Sequence, residues 1–236
     1  MTAPTAVTHS TVDSVAVDEL GSVAALLMLA DGRFPDGSHA HSFGMEAAVD
    51  VGRVRDPSTL QAYIEARLWS MTRTDAAAAA LVARGTHPIE LVDHALELRM
   101  PGEVARTTSR SLGRSLLRTA ERLWPGQAPR LDDGRSPLQP VAFGAVATLS
   151  GCSPSQAALC SVHASAAALS SAALRLLGLD PFAVAAVLAE LRPTVGAVAA
   201  SIDGIATPDD LPVVTTPIAE LDPELGRTIE PRLFGS

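Results

Sequence analysis

A chain of 236 residues has enough material for a sizeable hydrophobic core. With 47% hydrophobic residues but only 3% aromatic, that core must be built from alanine, leucine and valine, a composition that favours helices over strands. The formal net charge of −8 argues against a general nucleic-acid binder, and two cysteines are too few for a disulfide framework and fit a reducing compartment.

Residues 1–19 are rich in Thr, Ala and Asp and contain no arginine. They lack the positive start of a signal peptide and are predicted to form a disordered leader. The apolar run Leu20 to Ala30 predicts a helix that stops at Asp31-Gly32. Pro35 and Gly37 then hold a tight turn, and Ser42 is the predicted N-cap of a second helix. His39 and His41 sit in the loop between the two.

Asp56-Pro57 is a cap-and-proline helix start, followed by Leu60, Tyr63, Ile64, Leu68 and Met71 on one apolar face. Thr74-Asp75 restarts a helix through an alanine run to Arg84, closed by Gly85. A short helix is predicted from Pro88 to Arg99 and a longer one from Pro101 to about Leu123. The stretch from Trp124 to Pro140 has no period and is rich in Pro, Gly, Asp and Arg, so it reads as a surface loop. Val141 to Leu149 is helical up to Gly151, and Ser153-Pro154-Ser155-Gln156 is a capping box opening a helix to Leu177, closed by Gly178. Asp180-Pro181 starts the last long helix.

The stretches Ala157–Leu179 and Phe182–Ile202 approach membrane-span length. They carry His163 and Arg175, and Glu190, Arg192 and Pro193, respectively, and read as buried helices, with no membrane role. The expected architecture is therefore all-α: a single-domain multi-helix bundle over 20–206, with a disordered leader and an extended tail over 207–236. That tail is acidic and proline-studded but keeps apolar residues such as Leu233 and Phe234. Such a mixture either orders on a partner or packs on its own domain.

Catalytic signatures are missing: the sequence has no nucleophile elbow, phosphate-binding loop or dinucleotide fingerprint. Cys152 and Cys160 lack metal-ligand spacing and read as small buried thiols, and His163 as a satisfied core histidine. His39 and His41 are weak metal-ligand candidates, with Asp31 and Asp36 the nearby carboxylates that could add to them and no cysteine to complete a four-ligand set, and a small helical metal-binding protein is the alternative reading. Arg106, Arg110, Arg114, Arg118 and Arg122 recur every four residues along one helix. In an acidic protein this row suits an acidic partner or the protein's own loops. Without interleaved aromatics it does not suit nucleic acid. Arg175, on an alanine- and serine-rich helix, either pairs with a buried carboxylate or marks an interface.

Several segments together resemble one family. The segment Leu29-Ala30-Asp31, Phe34-Pro35, Gly37 and His41-Ser42-Phe43-Gly44-Met45-Glu46 resembles the N-terminal signature of the urease accessory protein UreF family. Ser109-Arg110-Ser111 with Gly113, Pro140-Val141-Ala142-Phe143-Gly144, Ala172-Ala173-Leu174-Arg175-Leu176 and the terminal Arg232-Leu233-Phe234-Gly235-Ser236 resemble its later segments, in the same order. The chain departs from the family pattern at Ser38, Leu138, Gln139, Gly226 and Arg227. The resemblance implies a cytoplasmic, all-helical homodimer without catalytic activity or a stably bound cofactor. Such a protein bridges UreD (UreH) and the GTPase UreG and helps nickel reach apo-urease, the metal being handled by the complex. Partner contacts would fall on Glu46 and Arg175 by motif match, with Arg110, Arg114, Arg232, Leu233 and Phe234 as further candidates and the tail ordering against UreD.

Overall fold

The structure, a computed structural model, describes residues 10–213 together with Asp222, Glu224, Leu225, Leu233 and Phe234. Arg232, Gly226, Arg227 and residues 1–9 of the leader lie outside the described residues. The described elements are helical: α1 (Ser10–Ala30), α2 (Met45–Asp50), α3 (Pro57–Arg67), α4 (Arg73–Arg84), α5 (Ile89–Glu97), α6 (Glu103–Leu123), α7 (Gln139–Leu149), α8 (Pro154–Leu177), α9 (Pro181–Glu190) and α10 (Arg192–Ala200). No strand occurs among the described residues.

Several helix ends obey local chemistry. Asp56 caps α3 through the Thr59 amide, Ser153 caps α8 through the Gln156 amide, and both form complete capping boxes. Asp180 caps α9, and Gly85 and Gly178 end α4 and α8 in the left-handed conformation.

Four expectations are corrected. Helix α1 starts at Ser10 instead of at Leu20. Helix α2 is capped by Gly44 and not by Ser42: Phe43 and Gly44 both take positive φ, so the chain cannot be helical until Met45. Thr74 does not restart a helix, because α3 runs through a π-turn at Leu68–Thr72 directly into α4, and the turn supplies the carbonyls a cap would replace. The last long helix divides at Leu191, where Pro193 removes an amide donor and α10 begins.

Helix α4 is central. Its buried run Ala76–Ala80 presents no side chain larger than a methyl, so α7 and α8 pack closely on either side. At the α4–α7 crossing Gly144 lies against the carbonyl of Ala79, where a Cβ would come within 2.4 Å of the oxygen. Helix α6 covers α7, and α1 covers α8 and part of α7. Helix α8 is long and apolar enough to cross a membrane, yet half of that window is buried in this fold. Over α9 and α10 only 28% of the window is buried, leaving an outer face of Phe182, Ala186, Ala189 and Ala197.

Candidate functional site

The loop carrying the two histidines is fixed from both sides. Asp36 accepts the Ser38 amide, Ser38–Ala40 forms one 3₁₀ turn, and Thr119 of α6 donates to the Pro35 carbonyl. His41 lies 6.2 Å from the Phe43 ring, and burial, with His39 adjacent, pushes its imidazole below the usual histidine range. Among the described residues no group of three or more His, Cys, Asp or Glu is placed to hold a metal ion, so no third ligand stands with His39 and His41.

Glu46, Arg175, Leu233 and Phe234, separated by up to 188 positions in the chain, meet beside that loop. Glu46, in the first turn of α2 and only 6% exposed, accepts the Leu233 amide at 2.7 Å. Arg175, in the last turn of α8, donates to the His39 carbonyl at 3.0 Å and lays its guanidinium 4.2 Å above the Phe234 ring. Phe234 is buried in the main core, whereas Leu233 stands exposed. The two charged residues therefore act as a clasp on the end of the tail, one through its backbone and one through its ring.

Two further tail contacts carried no local signal. Asp222, fully buried, accepts from Arg53 and from the hydroxyl of Tyr63, the latter at 2.9 Å. Burial pushes the Tyr63 phenol up. Glu224 accepts the Val104 amide at 2.7 Å, supplying α6 with the N-terminal acceptor that Gly102 does not provide. Partners more than 100 residues apart leave no trace in spacing.

The arginine row divides by task, because successive four-residue steps drift around α6. Arg106 donates to the Met100 and Pro101 carbonyls. Arg110 turns inward, pairing with Asp93 at 3.0 Å and Glu97 at 2.9 Å and donating to the Ser136 carbonyl. Asp93 also accepts the Leu138 amide, and Ser109 accepts that of Gln139. The Ser109-Arg110-Gly113 segment thus anchors the end of the 124–138 loop. Only Arg114, Arg118 and Arg122 remain on the exposed side. His163 is exposed, not in the core, since α8 turns Val162 and Ala166 inward instead. Cys152 and Cys160 are buried, free thiols.

Two adjoining cavities of about 110 and 80 Å³ share Phe43, Arg67, Asp75 and Gln139 as walls. Asp75 retains some accessible surface, but that surface lines these cavities. Desolvation pushes its carboxyl up to about 7, against the pull of Arg67. A raised folded-state pKa means the native state holds the proton that the unfolded chain releases near pH 4. Stability from this group is full below about pH 4 and falls as pH rises towards 7. Thermal unfolding from pH 5 to 7.5 should show that decline in the wild type and a flatter profile in Asp75→Asn.

These features describe a helical protein whose buried charged residues pin segments of its own chain, described tail residues among them. Comparison with known proteins gives the family. The UreF family profile matches residues 54–192, well over half of the chain. Urease accessory proteins UreF from Mycobacterium sp. (strain JLS) and Mycolicibacterium vanbaalenii are 42% and 41% identical, covering 76% and 74% of this chain and 85% and 82% of their own lengths. UreF of Mycobacterium tuberculosis is 39% identical over 72% of this chain and 80% of its own. The chain belongs to the UreF family of urease accessory proteins.

Proposed function

We propose that this protein is a non-catalytic scaffold in urease maturation, bridging UreD (UreH) and the GTPase UreG, as a cytoplasmic homodimer, so that nickel reaches apo-urease. The observation that carries this reading is the clasp: Glu46 and Arg175 hold the chain end by a carboxylate accepting a backbone amide and a cation over a ring, contacts that a partner segment of similar make-up can also satisfy. Nickel passes through the assembly as cargo in this reading, with no resident metal assigned to this chain.

Co-expression with UreD and UreG should give a ternary complex that co-elutes in size exclusion, and recovery of neither partner would refute the bridging role. Glu46→Gln and Arg175→Ala are each expected to weaken UreD capture by about tenfold, the size of one charge-assisted contact. The helical circular-dichroism signal should be unchanged, because Glu46 and Arg175 bind the tail and a loop and not another helix.

A further inference from the structure

Beside the 124–138 loop, away from the clasp, lies a groove of about 410 Å³ walled by Arg114 and Arg118 of α6 and by Arg130 and Arg135 of the loop. Arg135 is committed to Asp133 and Glu97. Among the described residues Arg114 and Arg118 make only hydroxyl contacts, to Ser136 and Ser115, and neither they nor Arg130 form an ion pair with a carboxylate. The one acidic wall residue, Glu121, accepts the Gly126 amide. A chain of net charge −8 thus concentrates uncommitted guanidinium groups in one concave place, between the apolar walls Leu117 and Pro129.

We infer that this groove binds an extended acidic peptide segment of a partner protein, with carboxylates on alternate residues. Three observations select that occupant. Arg114 and Arg118 are one helical turn apart, about 6 Å along the axis, close to the roughly 6.6 Å between same-side residues of an extended strand. Guanidinium groups match carboxylates bidentately, and opposite charge draws the segment in. None of the lining residues is aromatic, so a nucleotide base would have nothing to stack on. The rigid floor is supplied by Gly113, whose missing side chain lets the Pro137 carbonyl rest directly on α6.

The test is fluorescence anisotropy of a fluorescein-labelled (Glu-Ala)₄ peptide titrated with the full chain at low salt. Saturable binding is expected, weakened by added chloride as screening sets in and absent for (Gln-Ala)₄. The double variant Arg118→Glu/Arg130→Glu should lose about tenfold or more in affinity, since two bidentate contacts become repulsions. Arg192→Ala, an exposed arginine elsewhere, should bind like the wild type. Arg118 and Arg130 are both exposed, and unchanged circular dichroism will show that the variant is folded. No binding by the wild type, equal binding by the double variant, or displacement of the peptide by inorganic phosphate or GDP at matched ionic strength would each overturn the assignment.

Discussion

Arg110→Ala is expected to cost about 3–5 kcal/mol of stability, among the largest effects of any single side-chain truncation in this protein. The reason is the charge left behind. Asp93 is 2% exposed at its side chain, and Arg110 is the cation that pairs with it. Removing the guanidinium strands that carboxylate among apolar neighbours, frees the Ser136 carbonyl and leaves Glu97 with Arg135 alone. A urea midpoint shifted at constant slope would measure the loss. Adding Asp93→Asn should recover part of it, because the amide oxygen still accepts the Leu138 amide and no charge is stranded. If Arg110 were chiefly a docking residue, its truncation would leave stability intact and alter only partner capture.

Gly144→Ala is expected to cost a net of about 2 kcal/mol or more. Alanine would gain about 1 kcal/mol in helix propensity. Against that, its Cβ would stand 2.4 Å from the Ala79 carbonyl oxygen and 2.9 Å from the Val82 Cβ. Forcing α4 and α7 apart unpacks the alanine run on which α8 also rests, and overpacking of this kind costs about 3 kcal/mol. The change should appear as a lower melting temperature, by roughly 4–8 °C for a domain of this size. A variant as stable as the wild type would show that the helices slide apart cheaply.

Much of the fold was legible because helix ends are local. Asp56-Pro57, Ser153 with Gln156, Asp180-Pro181, Gly85 and Gly178 each do in the structure what their residue types dictate within four positions. The failures have tertiary causes. A π-turn made Thr74 unnecessary as a cap, and a pair of positive-φ residues delayed α2 past Ser42. His163 alternates with buried residues on a helix whose apolar character runs all round, so composition could not orient it. The candidate site was legible as residues but not as an arrangement. Glu46, Arg175, Leu233 and Phe234 came from motif resemblance, and only folding reveals that they meet. Asp222 with Arg53 and Tyr63, and the cavity carboxylate Asp75, had no sequence signal beyond being single polar residues in mixed surroundings.

The two cysteines have a practical consequence. Cys160 sits beneath α1, its thiol 3.9 Å from the Leu26 carbonyl, and burial pushes its pKa up to about 12. Cys152 is buried nearby and also shifted upward. Thiolate is the reactive form, so in the native state both are slow to react with maleimides or disulfide reagents. Their modification rate becomes a clock for the lifting of α1 from α8. The sequence contains no lysine, so amine-directed reagents find no side chain to modify. A single cysteine introduced at the exposed position Leu233 would then be the one fast-reacting thiol, and its protection by a partner would report directly on where the chain end is held.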